Sequence, residues 1–112
     1  MRIVLSANAS DLVIGREYLG NDPEGEFVAM ADGTIAYRHP AAGALFANVS
    51  RDAFLACVRA WDGYVERVAP LTDETAQLRV VDELRRALEA QDGLRPGGFW
   101  AIILEQAEHG QL

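Results

Sequence analysis

Residues 46–68 read FANVSRDAFLACVRAWDGYVERV, and the rest of the chain is arranged around this stretch. It begins with an apolar strand-like segment, after which the hydroxyl of Ser50 can accept a hydrogen bond from the first turn of a helix. Val49 and Phe54 stand at the two positions of a hydrophobic staple. The apolar residues that follow recur at helical spacing: Phe54, Val58, Trp61, Val65 and Val68. We therefore predict a helix over about residues 51–68 that covers one side of a sheet.

The segment before this helix has the pattern of short strands. β-type runs occur at residues 2–5, 12–19, 26–31, 34–38 and 44–47, and turn residues separate them. The sequence GNDPEG at 20–25 is the strongest loop signal in the chain. Asp32-Gly33 is typical of a type I′ turn, so it predicts a hairpin between the third and fourth runs.

The segment after the helix predicts two further helices. Pro70 ends the first helix, and Thr72 is the expected N-cap of the second, with Gly93 at its C′ position. The second helix has an apolar stripe at Leu78, Val81, Leu84 and Leu88. The third, at residues 99–107, is apolar on more than one side. The predicted fold class is α+β: a mainly antiparallel β-sheet from the N-terminal half, packed against about three helices from the C-terminal half, in a single domain spanning residues 1–112.

Composition restricts the classes of function. Half of the 112 residues are hydrophobic, so a core can form without disulfides, and the single cysteine excludes an internal one. No signal peptide or membrane-length apolar run is visible, and we expect a cytoplasmic protein. The net charge of −7 disfavours nucleic-acid binding and favours a basic protein partner. The simpler alternative is that this charge only keeps the protein in solution.

No pattern in the sequence indicates catalysis, a metal or a cofactor. Cys57 lies near the buried stripe, and His39 and His109 fall in a turn and a tail, so a nucleophile–base pair is not expected. The acidic residues of 22–32 do not follow the spacing of a calcium-binding loop. Tyr64 is shifted off the apolar stripe and is a candidate for partial exposure, but the favoured interpretation is that Trp61 and Tyr64 both pack against the sheet or the next helix. We expect a non-enzymatic protein.

Four groups of residues carry a resemblance to a known family. They are LVIG at 12–15, FV at 27–28 with DGTIAY at 32–37, FANVS at 46–50 followed by FL at 54–55, and FWAIILE at 99–105. Together they resemble the SUKH superfamily of bacterial immunity proteins, most of all its fourth subgroup. Members typically carry an N-terminal helix ahead of the first of these strings, whereas eleven residues precede Leu12 here.

The resemblance implies an α+β domain that acts by binding. Members neutralise cognate toxins of polymorphic toxin systems, often nucleases or nucleic-acid deaminases, and such toxins are commonly basic. The corresponding hypothesis is that an acidic and aromatic surface occludes the toxin. Charge and expected exposure select the candidate contacts, which are Asp22, Glu24, Glu26 and Asp32 around the hairpin and Tyr37 on the sheet.

Two other classes of function remain open at this point. The apolar C-terminal helix, residues 99–104, would suit a small structural or regulatory module that forms a homodimer through it. A pocket between the sheet and the helices would suit a small-molecule enzyme or ligand-binding protein, which predicts an enclosed polar cavity.

Overall fold

The computed structural model of the chain describes residues 1–8, 12–41 and 43–110. Within these residues five strands precede three helices, as the sequence predicts. The strands are β1 (Arg2–Leu5), β2 (Val13–Leu19), β3 (Asp22–Ala29), β4 (Ile35–His39) and β5 (Gly43–Asn48), and the helices are α1 (Arg51–Val68), α2 (Glu74–Ala90) and α3 (Phe99–Glu108). The predicted α+β class is confirmed.

The strands form one antiparallel sheet in which spatial order follows chain order. Phe27 of β3 is fully buried, and its ring packs on Phe54 of α1 and on Phe99 of α3, with centroid distances of 4.7 and 4.9 Å. α2 packs mainly on α1 and α3. The helices therefore cover one face of the sheet in two layers, with α2 outermost.

Helix α1 begins where the sequence predicts. Ser50 Oγ accepts a hydrogen bond from the backbone N–H of Ala53 at 3.1 Å, which makes Ser50 the N-cap. Further along α1, Trp61 is buried, and its indole Nε1 donates to the carbonyl oxygen of Met1 at 3.0 Å. The helix thus ties the end of β5 to the start of β1 across the sheet.

A buried amide joins three elements next to this helix start. Asn48, at the end of β5, is fully buried. Its Oδ1 accepts a hydrogen bond from Trp100 Nε1 of α3 at 2.9 Å, and its Nδ2 donates to Cys57 Sγ of α1 at 3.3 Å. The polar atoms of this side chain are therefore satisfied inside the core.

The buried face of α1 is rotated from the predicted stripe. Val65 is 40% exposed, whereas Tyr64 is 6% exposed, as the interpretation that it packs against a neighbouring element predicts. The reason is that α2 covers a second flank of α1, where Tyr64 and Gly63 lie opposite Val80 and Leu84. The buried face of α2 also differs from its predicted stripe, since Leu78 is 52% exposed and Val80 is buried.

The caps of α2 also differ from prediction. Asp73, and not Thr72, is the N-cap, with Oδ2 accepting from Ala76 N–H at 3.0 Å. At the other end Asp92 has φ +51°, and the N–H groups of Asp92 and Gly93 bond the carbonyls of Glu89 and Leu88. This is a Schellman motif in which Gly93 is C″ and Asp92 is C′. A Cβ on Gly93 would lie 3.3 Å from Cys57 Sγ, so close packing favours glycine there.

Two turns differ from prediction: the turn before β3 is shorter, and the turn between β3 and β4 is of another type. The loop expected over 20–25 is a two-residue turn at Gly20-Asn21, with φ +62° at Gly20, because β3 already begins at Asp22. Between β3 and β4, Gly33 has φ +88° but Asp32 does not have a positive φ, so the type I′ prediction is wrong. Gly33 N–H instead bonds Met30 C=O at 3.0 Å, as in a type I turn followed by a left-handed residue.

Candidate functional site

The five candidate contact residues do not form one cluster. Asp22, Glu24 and Glu26 lie on β3, whereas Asp32 lies in the loop at the other end of that strand, roughly 20 Å from Glu26 and further from the other two at ordinary strand rise. The Asp32 carboxylate is held locally, because Oδ1 accepts from the backbone N–H and the hydroxyl of Thr34 at 2.9 and 2.6 Å. The structure therefore separates Asp32 from the other three carboxylates.

Glu26 belongs to a row of alternating charges across the sheet. It pairs in register with Arg16 of β2 on one side and with Arg38 of β4 on the other. Arg38 Nη2 lies 2.6 Å from Glu26 Oε1, and the Arg38 side chain is 55% exposed. This part of the sheet is therefore mixed in charge.

A β-bulge gives Glu24 a different orientation from Glu26. Glu17 of β2 faces Gly25 of β3, and the next residue, Tyr18, faces Pro23, so Glu24 is the extra residue of the bulge. The bulge brings Glu24 Oε2 to 3.5 Å from His39 Nε2 of β4. Pro23, which has no N–H to donate, is tolerated next to this irregularity.

Gly25 makes room for the side chain of Tyr37. A Cβ at Gly25 would lie 2.5 Å from the ring carbons Cε1 and Cζ of Tyr37, a distance that carbon atoms do not adopt. The Tyr37 hydroxyl can therefore pass the backbone of β3 and donate to Oε1 of Glu17 on β2, at 2.5 Å. No other residue type at position 25 would leave this path open.

The assumption that Tyr37 offers an exposed aromatic surface needs correction. Tyr37 is 6% exposed, and its ring packs on Phe99 and Phe27 with centroid distances of 4.6 and 5.2 Å. Burial raises the pKa of Tyr37 above its ordinary value, and the hydrogen bond to Glu17 raises it further. Tyr37 therefore contributes by holding Glu17, and not as an exposed aromatic surface.

Two open hollows meet at the end of the sheet that carries the bulge. The sheet-face hollow has a volume of about 550 Å³ and includes Arg16, Pro23, Glu26, Arg38 and Pro40. The helix-side hollow has a volume of about 340 Å³ and includes Glu17, Tyr37, Leu45, Phe99 and Ile102. Both contain Glu24 and His39. This end of the sheet is the candidate interaction site.

Sequence reasoning selected Glu24 and Glu26 for this site but missed Glu17, Arg16 and His39. In strand β2, VIGREYL, the adjacent charges Arg16 and Glu17 must point to opposite faces of the sheet. One of them therefore had to face the helices, which could have marked it as unusual.

Cys57, the single cysteine, lies outside this site. Cys57 is fully buried, and burial raises its thiol pKa, an effect that the hydrogen bond from Asn48 reduces. In the part of the chain that the structure describes, no set of three histidine, cysteine or acidic residues is arranged to hold a metal. Of the helices described, none has the length and apolar character to cross a membrane. The absence of enzymatic activity stays a prediction.

Comparison with protein-family models matches residues 4–106 to the family described as SUKH-4 immunity protein. Neither the curated proteins nor the solved structures give a match. The sequence strings that resemble the family have a structural explanation, because FANVS supplies Asn48 and FWAIILE supplies its hydrogen-bond donor, Trp100. The match covers nearly the whole chain and includes the residues that hold its core together, so the protein belongs to the SUKH-4 immunity protein family.

Proposed function

We propose that this protein neutralises a cognate toxin by binding it, through the end of the sheet where Glu24 and His39 separate the two hollows. Family membership supports a role as an immunity protein with a protein partner. The observation that supports this location is the bulge of β3, which leaves two open hollows beside one carboxylate. Open hollows with both apolar and charged walls suit the side chains of another protein.

The proposed toxin is basic, as nucleases and nucleic-acid deaminases commonly are. The protein carries a net charge of −7, and Asp22 and Glu24 lie together at the start of β3. These carboxylates would occupy positions where the toxin otherwise holds phosphates, so bound toxin could not reach nucleic acid. The proposed place of action is the cytoplasm, where such a toxin would meet its substrate.

Two observations speak against the alternative functions, a homodimerising module and a small-molecule enzyme or ligand-binding protein. Most apolar residues of α3 are buried within the chain, including Phe99, Trp100, Ile103 and Leu104, and Ile102 is 38% exposed. Packing on the sheet and on α2 therefore accounts for the apolar sequence that suggested a homodimer. The small-molecule alternative predicts an enclosed polar cavity, whereas both hollows at this site are open to solvent.

The test is a growth-rescue experiment with a toxin encoded next to the gene. Cells that express the toxin are expected to survive only when this protein is co-expressed, and calorimetry with a catalytically inactivated toxin is expected to show a one-to-one complex. A neighbouring toxin that neither binds the protein nor is neutralised by it would contradict the proposal. Rescue without complex formation would contradict the binding mechanism.

A further inference from the structure

We propose that the helix-side hollow binds one arginine side chain of the toxin, with the guanidinium held by Glu17 and Glu24. The identity of the partner that supplies this arginine rests on the proposed function. The chemistry of the hollow does not, because it follows from the residues that form it.

Glu17 is the main observation behind this inference. It is 7% exposed and lines the hollow, and its Oε1 accepts the Tyr37 hydroxyl. Within the described part of the chain no donor bonds its other oxygen, Oε2. No fully buried side-chain oxygen among these residues lacks a partner, so Oε2 is not fully buried, and the hollow is the opening that Glu17 lines. A carboxylate so nearly buried, with one neutral donor, is stabilised by a cation that reaches it.

Glu24 adds a second carboxylate at the same hollow. Its side chain is 33% exposed, and its nearest basic group is the His39 ring at 3.5 Å. The lining residues include no arginine or lysine, and His39 is their one basic side chain. Met1 also lines the hollow, and its terminal amino group forms no ion pair within 4.0 Å with either carboxylate. The two acidic groups therefore have no arginine, lysine or terminal amino partner within the hollow.

The walls of the hollow suit the apolar stem of a long side chain. Leu45, Phe99 and Ile102 line it, and Leu19 at its rim is 47% exposed. The volume of about 340 Å³ lies near the lower end of the range for ligand pockets, so one side chain fits better than a peptide segment. Arginine fits better than lysine, because its planar fork can donate to two carboxylates at once.

A titration with a defined probe tests the inference without the toxin. The probe is N-acetylarginine methylamide, and the control is the citrulline analogue, which has the same length but no charge. We expect saturable NMR shifts at the backbone amides of Glu17, Gly25 and Tyr37 with the arginine probe, and binding weaker by about tenfold with citrulline. No saturable shifts, or equal shifts with both compounds, would overturn the inference.

Variants of the hollow provide the matched comparison. Glu24 is partly exposed, so we expect Glu24→Gln to fold normally and to weaken probe binding by about tenfold. Glu89→Gln removes one charge from α2, away from both hollows, and is expected to leave probe binding unchanged. Equal affinities in both variants would contradict the inference. Glu17→Gln is expected to weaken binding further, and thermal unfolding shows whether it is folded.

Experiments with the toxin distinguish a failure of this inference from a failure of the proposed function. In a double-mutant cycle, Glu24→Gln is expected to couple to one toxin arginine and to no other. If the toxin binds and no arginine couples, the inference is wrong and the proposed function stands. If no toxin binds, the proposed function fails, and the probe titration decides whether the hollow binds arginine.

Discussion

Asn48 shows at the scale of single residues why the chain has one core arrangement. Its amide bonds Trp100 of α3 and Cys57 of α1, so β5 and both helices must meet in one register for its polar atoms to be satisfied. Helix packing by apolar surface alone would tolerate a shift along the helix axis. The buried amide adds directional contacts that such a shift would break.

Replacing Trp100 by phenylalanine is expected to destabilise the protein by about 1–3 kcal/mol beyond the loss of ring volume. The cause is that Asn48 Oδ1 would remain buried without its donor. Trp61→Phe is the matched control, since it loses the same ring volume, but its indole bonds the carbonyl of Met1, which water can reach more easily. Urea unfolding measures both variants. Equal losses would show that the hydrogen bond to Asn48 contributes nothing specific.

Buried acids, among them Cys57 and Tyr37, are expected to make the protein less stable at alkaline pH. Burial raises the pKa of Cys57 above its ordinary value of 9.0 and that of Tyr37 above 10.0. A raised pKa means that the folded protein holds the proton more tightly than the unfolded chain does. The resulting contribution to the free energy of unfolding is complete below the unfolded-state pKa, and it is lost as pH rises from there through the folded-state pKa. The free energy of unfolding should therefore fall above pH 9 and more steeply above pH 10. Urea titrations at several pH values should show a smaller decline in Cys57→Ala and in Tyr37→Phe.

Strand β3 shows at the scale of elements what the sequence can and cannot predict. The start of α1 was predictable because Ser50 and the apolar residues after it act locally. The start of β3 was not, because Gly20, Asn21 and Pro23 are all turn residues and only the first two form the turn. Pro23 and Gly25 belong to a strand because of pairing with β2 and because of the position of Tyr37. Neither can be read from the composition of residues 20–25.

Two glycine-to-alanine substitutions are expected to have opposite effects on stability. Gly25→Ala would force the Tyr37 ring away from Glu17, at a cost of about 2–3 kcal/mol. Gly63→Ala places a methyl group in open space on α1, and should stabilise the protein by about 0.5–1 kcal/mol. Chemical denaturation measures both. A Gly25→Ala variant as stable as the wild type would show that the bulge has room for a side chain.

At the scale of the whole molecule, the order of the strands and of the helical layers decides where each charged residue lies. The sequence predicted an acidic protein, but only strand register shows that Glu26 is paired with Arg38, that Asp32 is distant and that Glu17 faces the helices. Which residues share a site depends on which strands are neighbours in the sheet, and a local stretch of sequence does not show this. The acidic residues of α2 lie in the outermost helical layer, so they contribute to the total charge without belonging to the candidate site.

This arrangement allows local charge to be separated from total charge in binding the toxin. Asp22→Asn/Glu24→Gln removes two charges from β3, and Glu74→Gln/Glu89→Gln removes two from α2, so both variants change the net charge from −7 to −5. Since electrostatic steering depends on the field at the docking surface, we expect the β3 variant to slow association by about tenfold at low salt and the α2 variant by less than about twofold. Stopped-flow mixing with inactivated toxin measures these rates. At about 1 M salt, where the Debye length is about 3 Å, the difference in association rate should disappear. Equal slowing by both variants would mean that total charge, and not the end of the sheet with the bulge, attracts the toxin.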